Sequence, residues 1–156
     1  MKQPIAGVMP PEIAEVPAMT VWPTIGATKW GRWVGRMAAV RYGVGVGHSQ
    51  GANFRGTAIV GRKEKWPHWT PTENMMTAIP RYRPFASGMG GGPDNPLGPR
   101  ALYLYRDGRD TFFRLHGTTE PETIGQAVSS GCIRLFNQDI IDLYNRVPVG
   151  THVTVV

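Results

Sequence analysis

The 156-residue chain is one domain's worth of sequence, long enough to bury its own core and too short for two domains of ordinary size. Its 17 Lys and Arg against 11 Asp and Glu give a net charge of +6, which favours anionic partners such as nucleic acid, acidic glycans or carboxylate-bearing peptides without choosing among them. No apolar run approaches the roughly 20 residues of a membrane-spanning helix, 20 Gly and 14 Pro argue against long helices, and the single cysteine, Cys132, rules out an internal disulfide.

Residues 1–35 predict an irregular arm or an altered first strand. Pro4, Pro10, Pro11 and Pro17 interrupt the N-terminus and leave no apolar region of signal-peptide length, while Trp22, Trp30 and Trp33 stand among glycines and basic residues. From 38 to 46 the pattern sharpens: Val40, Tyr42, Val44 and Val46 alternate with small residues, which predicts a strand. A second strand is predicted over 56–63, followed by a stiff loop at 66–72 built on Trp66, Pro67, Trp69 and Pro71.

The stretch 80–99, with Gly88, Gly90 to Gly92 and Asn95-Pro96-Leu97-Gly98, reads as a long flexible loop able to close over a groove. Residues 101–105 and 111–116 predict a hairpin whose second strand ends at His116. Asn137 is the expected cap of a helix over 138–147, with Ile140, Ile141, Tyr144 and Val147 as its buried stripe and Pro148 as its stop. A last strand is expected over 151–156, so the fold class is mainly β with one helix near the C-terminus and long loops.

Chemistry concentrates in two short segments, Leu115-His116-Gly117-Thr118 and Ser129-Ser130-Gly131-Cys132-Ile133-Arg134-Leu135. A thiol near its ordinary pKa of about 8.5 is mostly protonated at neutral pH, so a nucleophilic role needs an imidazole or a positive field beside it. His116 and Arg134 are the candidates for these parts. The Ser129-Ser130-Gly131 turn would present the thiol, with N–H groups around Gly131 and Cys132 aimed at a developing oxyanion. From one Cys and one His alone, a buried small hydrophobe and a satisfied core histidine are the favoured reading.

The order His-Gly-Thr, Ile124-Gly125, then Ser-Ser-Gly-Cys-Ile-Arg-Leu followed by Asn137, Asp139, Leu143 and Tyr144, resembles the catalytic signature of the YkuD-type L,D-transpeptidases. The likeness extends to Gly150-Thr151 and Val153, and upstream to Trp66-Pro67, Trp69 to Thr72 and Asn95 to Gly98. It implies a β-sandwich-like catalytic domain over 36–156 that needs no cofactor or metal. In it, Cys132 is the nucleophile, His116 its base, Gly131, Ser130 and Ser129 the oxyanion turn, and Arg134, Gly117 and Thr118 substrate-binding residues.

The implied reaction is acyl transfer in the bacterial envelope or periplasm. Cys132 takes a peptidoglycan tetrapeptide stem, releases D-alanine and passes the acyl group to an amine on another stem or on a wall-anchored lipoprotein. Transfer to water would make an L,D-carboxypeptidase, and a fold with a dead site would be a wall- or polyanion-binding module. The resemblance implies neither nucleic-acid binding nor a membrane span.

Family domains begin with a clear apolar strand, whereas residues 18–35 here are rich in Trp, Gly, Lys and Arg, so one sheet edge is expected to be absent or altered. Arg134 is read equally as a carboxylate ligand or a structural salt bridge, and Ser130 as assisting or merely serving its turn. Trp66 and Trp69 are expected to pack the loop onto the core. His48, His68 and His152 stand at no recognised metal-ligand spacing, Gly88 to Gly92 lacks the context of a phosphate cradle, and Lys29, Arg32, Arg36 and Arg41 read as a solvated basic stretch.

Overall fold

Alternating sequence becomes strand in the computed structural model, which describes residues 18–21, 40–47 and 54–155. In chain order the described strands are β1 (Ala18–Val21), β2 (Val40–Gly47), β3 (Gly56–Lys65), β4 (Arg100–Arg106), β5 (Arg109–His116), β6 (Ala127–Ser129), β7 (Ile133–Leu135) and β8 (His152–Val155). They join in one sheet in the order β1-β2-β7-β5-β4-β3-β8, with β6 added beside β2. The sheet is mixed, because β5–β7 and β2–β6 run parallel while the other pairs are antiparallel.

The mainly β expectation therefore holds, with two strands, β6 and β7, that are too short for a period-two signal to reveal. At the N-terminal edge, within the segment expected as an irregular arm or an altered first strand, Ala18–Val21 pairs antiparallel with β2, Ala18 opposite Gly43 and Val21 opposite Val40. The boundary expected at 35/36, the basic residues Lys29, Arg32 and Arg36, and His48 lie outside the described residues.

Leu102 and Leu104 on β4 pack with Val60, Leu115, Ile133 and Leu135 from neighbouring strands, all in one apolar cluster. Helix α2 (Asn137–Arg146) closes this cluster with Ile140 and Leu143, both essentially unexposed. Each such side chain contributes about 1.5–3 kcal/mol of burial. Leu143, and not Ile141 or Tyr144, completes the buried stripe, since Ile140, Leu143 and Val147 are the three buried positions at helical spacing. Lys63 secures the far end of the helix, its ammonium donating to the carbonyl oxygens of Tyr144 at 2.6 Å and Val147 at 2.7 Å.

Asn137 does not cap α2: it is the first helical residue, and Phe136 holds the cap position with no side-chain bond. The segment between β3 and β4 also differs from two loops. It contains helix α1 (Glu73–Ala78), capped by the Thr72 hydroxyl accepting from Met75 N–H, and a 3-10 turn at Pro80–Phe85. Apolar residues here recur too briefly for a helical period to stand out.

This excursion is anchored through Asn95. Its carboxamide is fully buried, donates to the carbonyls of Pro67 and Gly90 at 3.0 Å, and accepts from Leu97 N–H at 2.9 Å. Trp69 packs as expected, edge-on to Tyr82 with centroids 4.9 Å apart, whereas Trp66 is half exposed and does not. Among the described residues no helix is long and apolar enough to cross a membrane.

Candidate active site

Parallel pairing of β5 with β7 sets Leu115 opposite Ile133 and His116 opposite Arg134. Side chains alternate across a strand, and Leu115 and Ile133 point into the core, so Arg114, His116 and Arg134 take the opposite face. Cys132, one residue before β7, falls on that face beside Arg114. The same register continues outward: Arg114 stands opposite Tyr103 on β4, and Tyr103 opposite Arg62 on β3.

All of these residues line one groove of about 620 Å³, walled by Trp69, Met75, Ile79 and Tyr82 from the β3–β4 excursion. Two residues 16 positions apart in the chain, His116 and Cys132, thus share one cavity because two strands pair in parallel.

The His116 ring is buried, and its Nδ1–H donates to the Gly117 carbonyl at 2.6 Å, which leaves Nε2 as the proton acceptor. Burial, opposed by the Gly117 bond and reinforced by the charges of Arg134 and Arg114, pushes its pKa down to about 4. The ring is therefore neutral at pH 7. Burial also pushes the Cys132 thiol up, outweighing an N–H of the Arg114 backbone and the charges of Arg114 and Arg134. Cys132 Sγ lies 3.9 Å from the Phe112 carbonyl oxygen, to which its thiol donates. Both shifts favour the uncharged forms, so the resting pair is a neutral thiol and a neutral imidazole.

Ser129 is buried and serves the turn: its hydroxyl donates to the Cys132 carbonyl at 2.6 Å and accepts from the Gly131 N–H at 3.1 Å. That second bond commits the N–H expected to face an oxyanion. Gly131 sits at φ 126, where a side chain would be strained. Ser130 is exposed on the groove wall.

Arg134 lines the groove while donating to Glu120 at 3.0 Å, and Glu120 also accepts from Arg81 at 2.6 Å. The salt-bridge reading of Arg134 describes this arrangement. Gly117 and Thr118, expected to bind substrate, are buried residues, and the Thr118 N–H donates to Asn137 Oδ1 at 2.9 Å. A Cβ on Gly117 would lie 2.3 Å from that same oxygen, so only glycine fits.

Sequence reasoning missed Arg62, Glu64, Tyr103, Phe112 and Arg114, which the groove includes. Arg62 and Arg114 approach the Tyr103 ring at 3.7 and 4.7 Å from the centroid, and the Tyr103 hydroxyl donates to Glu64 at 2.8 Å. Only Arg114 carried a signal, two residues before His116 on the same strand. His68 is on the groove wall, while His152 pairs opposite Ile59 on the outer strand.

A mixed sheet that sets a thiol and an imidazole on one groove defines the class of fold and site. Residues 29–155 match the family model of YkuD, the L,D-transpeptidase catalytic domain, and the chain belongs to that family. It is 44% identical over 101 residues to the probable L,D-transpeptidase YbiS of Escherichia coli (strain K12), covering 62% of this chain and 30% of that protein. With the probable L,D-transpeptidase ErfK/SrfK of the same strain it shares 38% identity over 121 residues, 72% of this chain and 36% of that one.

The chain spans half or less of the length of the curated relatives it matches. The crystal structure of L,D-transpeptidase 3 from Mycobacterium tuberculosis superposes with a TM-score of 0.51 at 19% identity, over 86% of this chain and 50% of that one, a likeness of fold alone.

Proposed function

We propose that the chain is a cysteine L,D-transpeptidase of the bacterial cell envelope, its catalytic domain spanning 36–156. The observation that carries this reading is the sharing of one groove by His116 and Cys132, with the Nε2 lone pair of His116 left to take a proton. Cys132 Sγ attacks the carbonyl before the terminal D-alanine of a peptidoglycan tetrapeptide stem while its proton passes to His116 Nε2. His116 then gives that proton to the departing D-alanine amine, and the stem remains as a thioester on Cys132.

An amine of a second stem, or a lysine of a wall-anchored lipoprotein, next attacks the thioester carbon. The C–N bond forms, the C–S bond breaks, and the amine proton returns to sulfur through His116. A neutral resting pair suits this cycle, since charge develops only as the bond forms. With the Gly131 N–H held by Ser129, the backbone N–H of Cys132 is the oxyanion donor in this scheme.

Incubation with a carbapenem followed by intact-mass measurement tests the reading. Wild type should gain one adduct and Cys132→Ala none; a folded wild type that stays unmodified would reject it. Tetrapeptide muropeptides then separate cross-linking from plain D-alanine release, the mark of a carboxypeptidase.

A further inference from the structure

Next to Cys132 the chain carries two local costs, a strained backbone and an exposed ring. Phe112 has φ 62, a left-handed conformation that is a strained outlier for an aromatic residue. It is also 76% exposed, while its neighbour Phe113 turns inward and packs on Phe54 with centroids 5.4 Å apart.

Both features arise in a bulge. Between the pairs Tyr103–Arg114 and Tyr105–Asp110, three residues of β5 occupy the place of Leu104 alone on β4. Side chains lock this irregularity. Asp110 accepts the Phe112 N–H at 2.7 Å, Thr111 donates to the Leu104 carbonyl at 2.7 Å, and Arg114 donates to the Phe112 carbonyl and pairs with Asp110. The outcome is an aromatic ring at the groove's lip and a carbonyl oxygen directed at Cys132 Sγ.

Phe112 and Val128, the latter 44% exposed, give the groove's lining an apolar part that faces solvent. A second substrate arriving after the first has been captured meets the outer, apolar end. We infer that the Asp110–Arg114 bulge is the acceptor-selecting rim of this site, its Phe112 ring holding the methylenes of an incoming primary amine and its Phe112 carbonyl accepting the amine N–H.

Before acylation that carbonyl faces the thiol hydrogen. Once Sγ is a thioester the hydrogen is gone, and the oxygen, which also accepts from Arg114, keeps its second lone pair for an N–H within reach of the acyl carbon. Water has no methylenes to lay against the ring, so the rim favours aminolysis over hydrolysis. This inference rests on the transpeptidase reading and adds to it the residue that decides between acceptors.

The experiment follows the fate of one thioester. The full chain is given a tetrapeptide stem as donor and Nα-acetyl-lysine amide as the amine, and cross-linked and hydrolysed products are quantified together. Both come from the same intermediate, so their ratio is insensitive to thiol reactivity. Phe112→Gly, which suits φ 62, should fold at least as stably as wild type and lower the transfer-to-hydrolysis ratio about tenfold, as loss of a positioned aromatic contact predicts.

Phe112→Asn, a polar residue tolerant of the same backbone, should lower the ratio similarly and serves as the deciding variant if the glycine chain melts early. Phe112→Leu should retain most of the ratio. Ratios equal to wild type in the glycine and asparagine variants would overturn the rim while leaving the transpeptidase reading intact. A wild type that forms no thioester strikes that reading instead.

Discussion

Asn137 Oδ1 accepts the backbone N–H of Thr118 at 2.9 Å, tying the first turn of α2 to the loop that leaves His116. Gly98 and Gly117 pack against the same oxygen so closely that neither tolerates a Cβ. The helix that closes the core thereby also sets the backbone whose Gly117 carbonyl orients the imidazole.

Asn137→Ala should therefore leave the buried Thr118 N–H unpaired, at a cost of about 1–3 kcal/mol. Thermal melting should report that loss, and carbapenem acylation per folded molecule should slow as the His116 ring loses its fixed orientation. Asn137→Asp keeps an acceptor at this position and should recover most of the stability.

The pH dependence follows from His116. Its pKa is about 4 in the folded chain and about 6.5 when unfolded, so the unfolded state binds a proton first as pH falls. The stability contributed by the neutral ring is complete above about pH 6.5 and is lost progressively toward pH 4, up to about 3 kcal/mol. Urea unfolding across this range should show the decline in wild type and a shallower one in His116→Gln. The acid limb of the acylation rate should lie near pH 4 rather than 6.5.

Lys63→Met removes two hydrogen bonds to the last carbonyls of α2 and the contact of the ammonium with the Tyr144 ring, 4.2 Å from its centroid. Burial already holds the Lys63 pKa below its usual value, so part of this loss is offset by not having to desolvate a charge. A net destabilisation of about 1–2 kcal/mol is expected in denaturant titration. Acylation of the folded fraction should be unaffected, because Lys63 points away from the groove to the helix side of the sheet.

Strands β2, β3, β4, β5 and β8 and helix α2 were legible in the sequence because each carries its own period over enough residues. Where the signal is shorter, as in β6, β7 and α1, neighbours rather than local preference decide the structure, and the reading failed. Asn137 illustrates the same limit: a good capping residue beside a helix start was read locally, while a loop 19 residues earlier claims its carboxamide.

The order of residues alone singled out Cys132 and His116, since chemically demanding side chains within one motif need no coordinates to be noticed. It did not disclose the neutral state of the pair, which depends on burial, nor the commitment of the Gly131 N–H to Ser129. Arg62, Tyr103 and Arg114 became neighbours only through the β3–β4–β5 register, and Phe112 reached the groove only through a bulge against Leu104. Periodicity is written along the chain, but which strands pair, and in what register, is settled by the burial of the whole core.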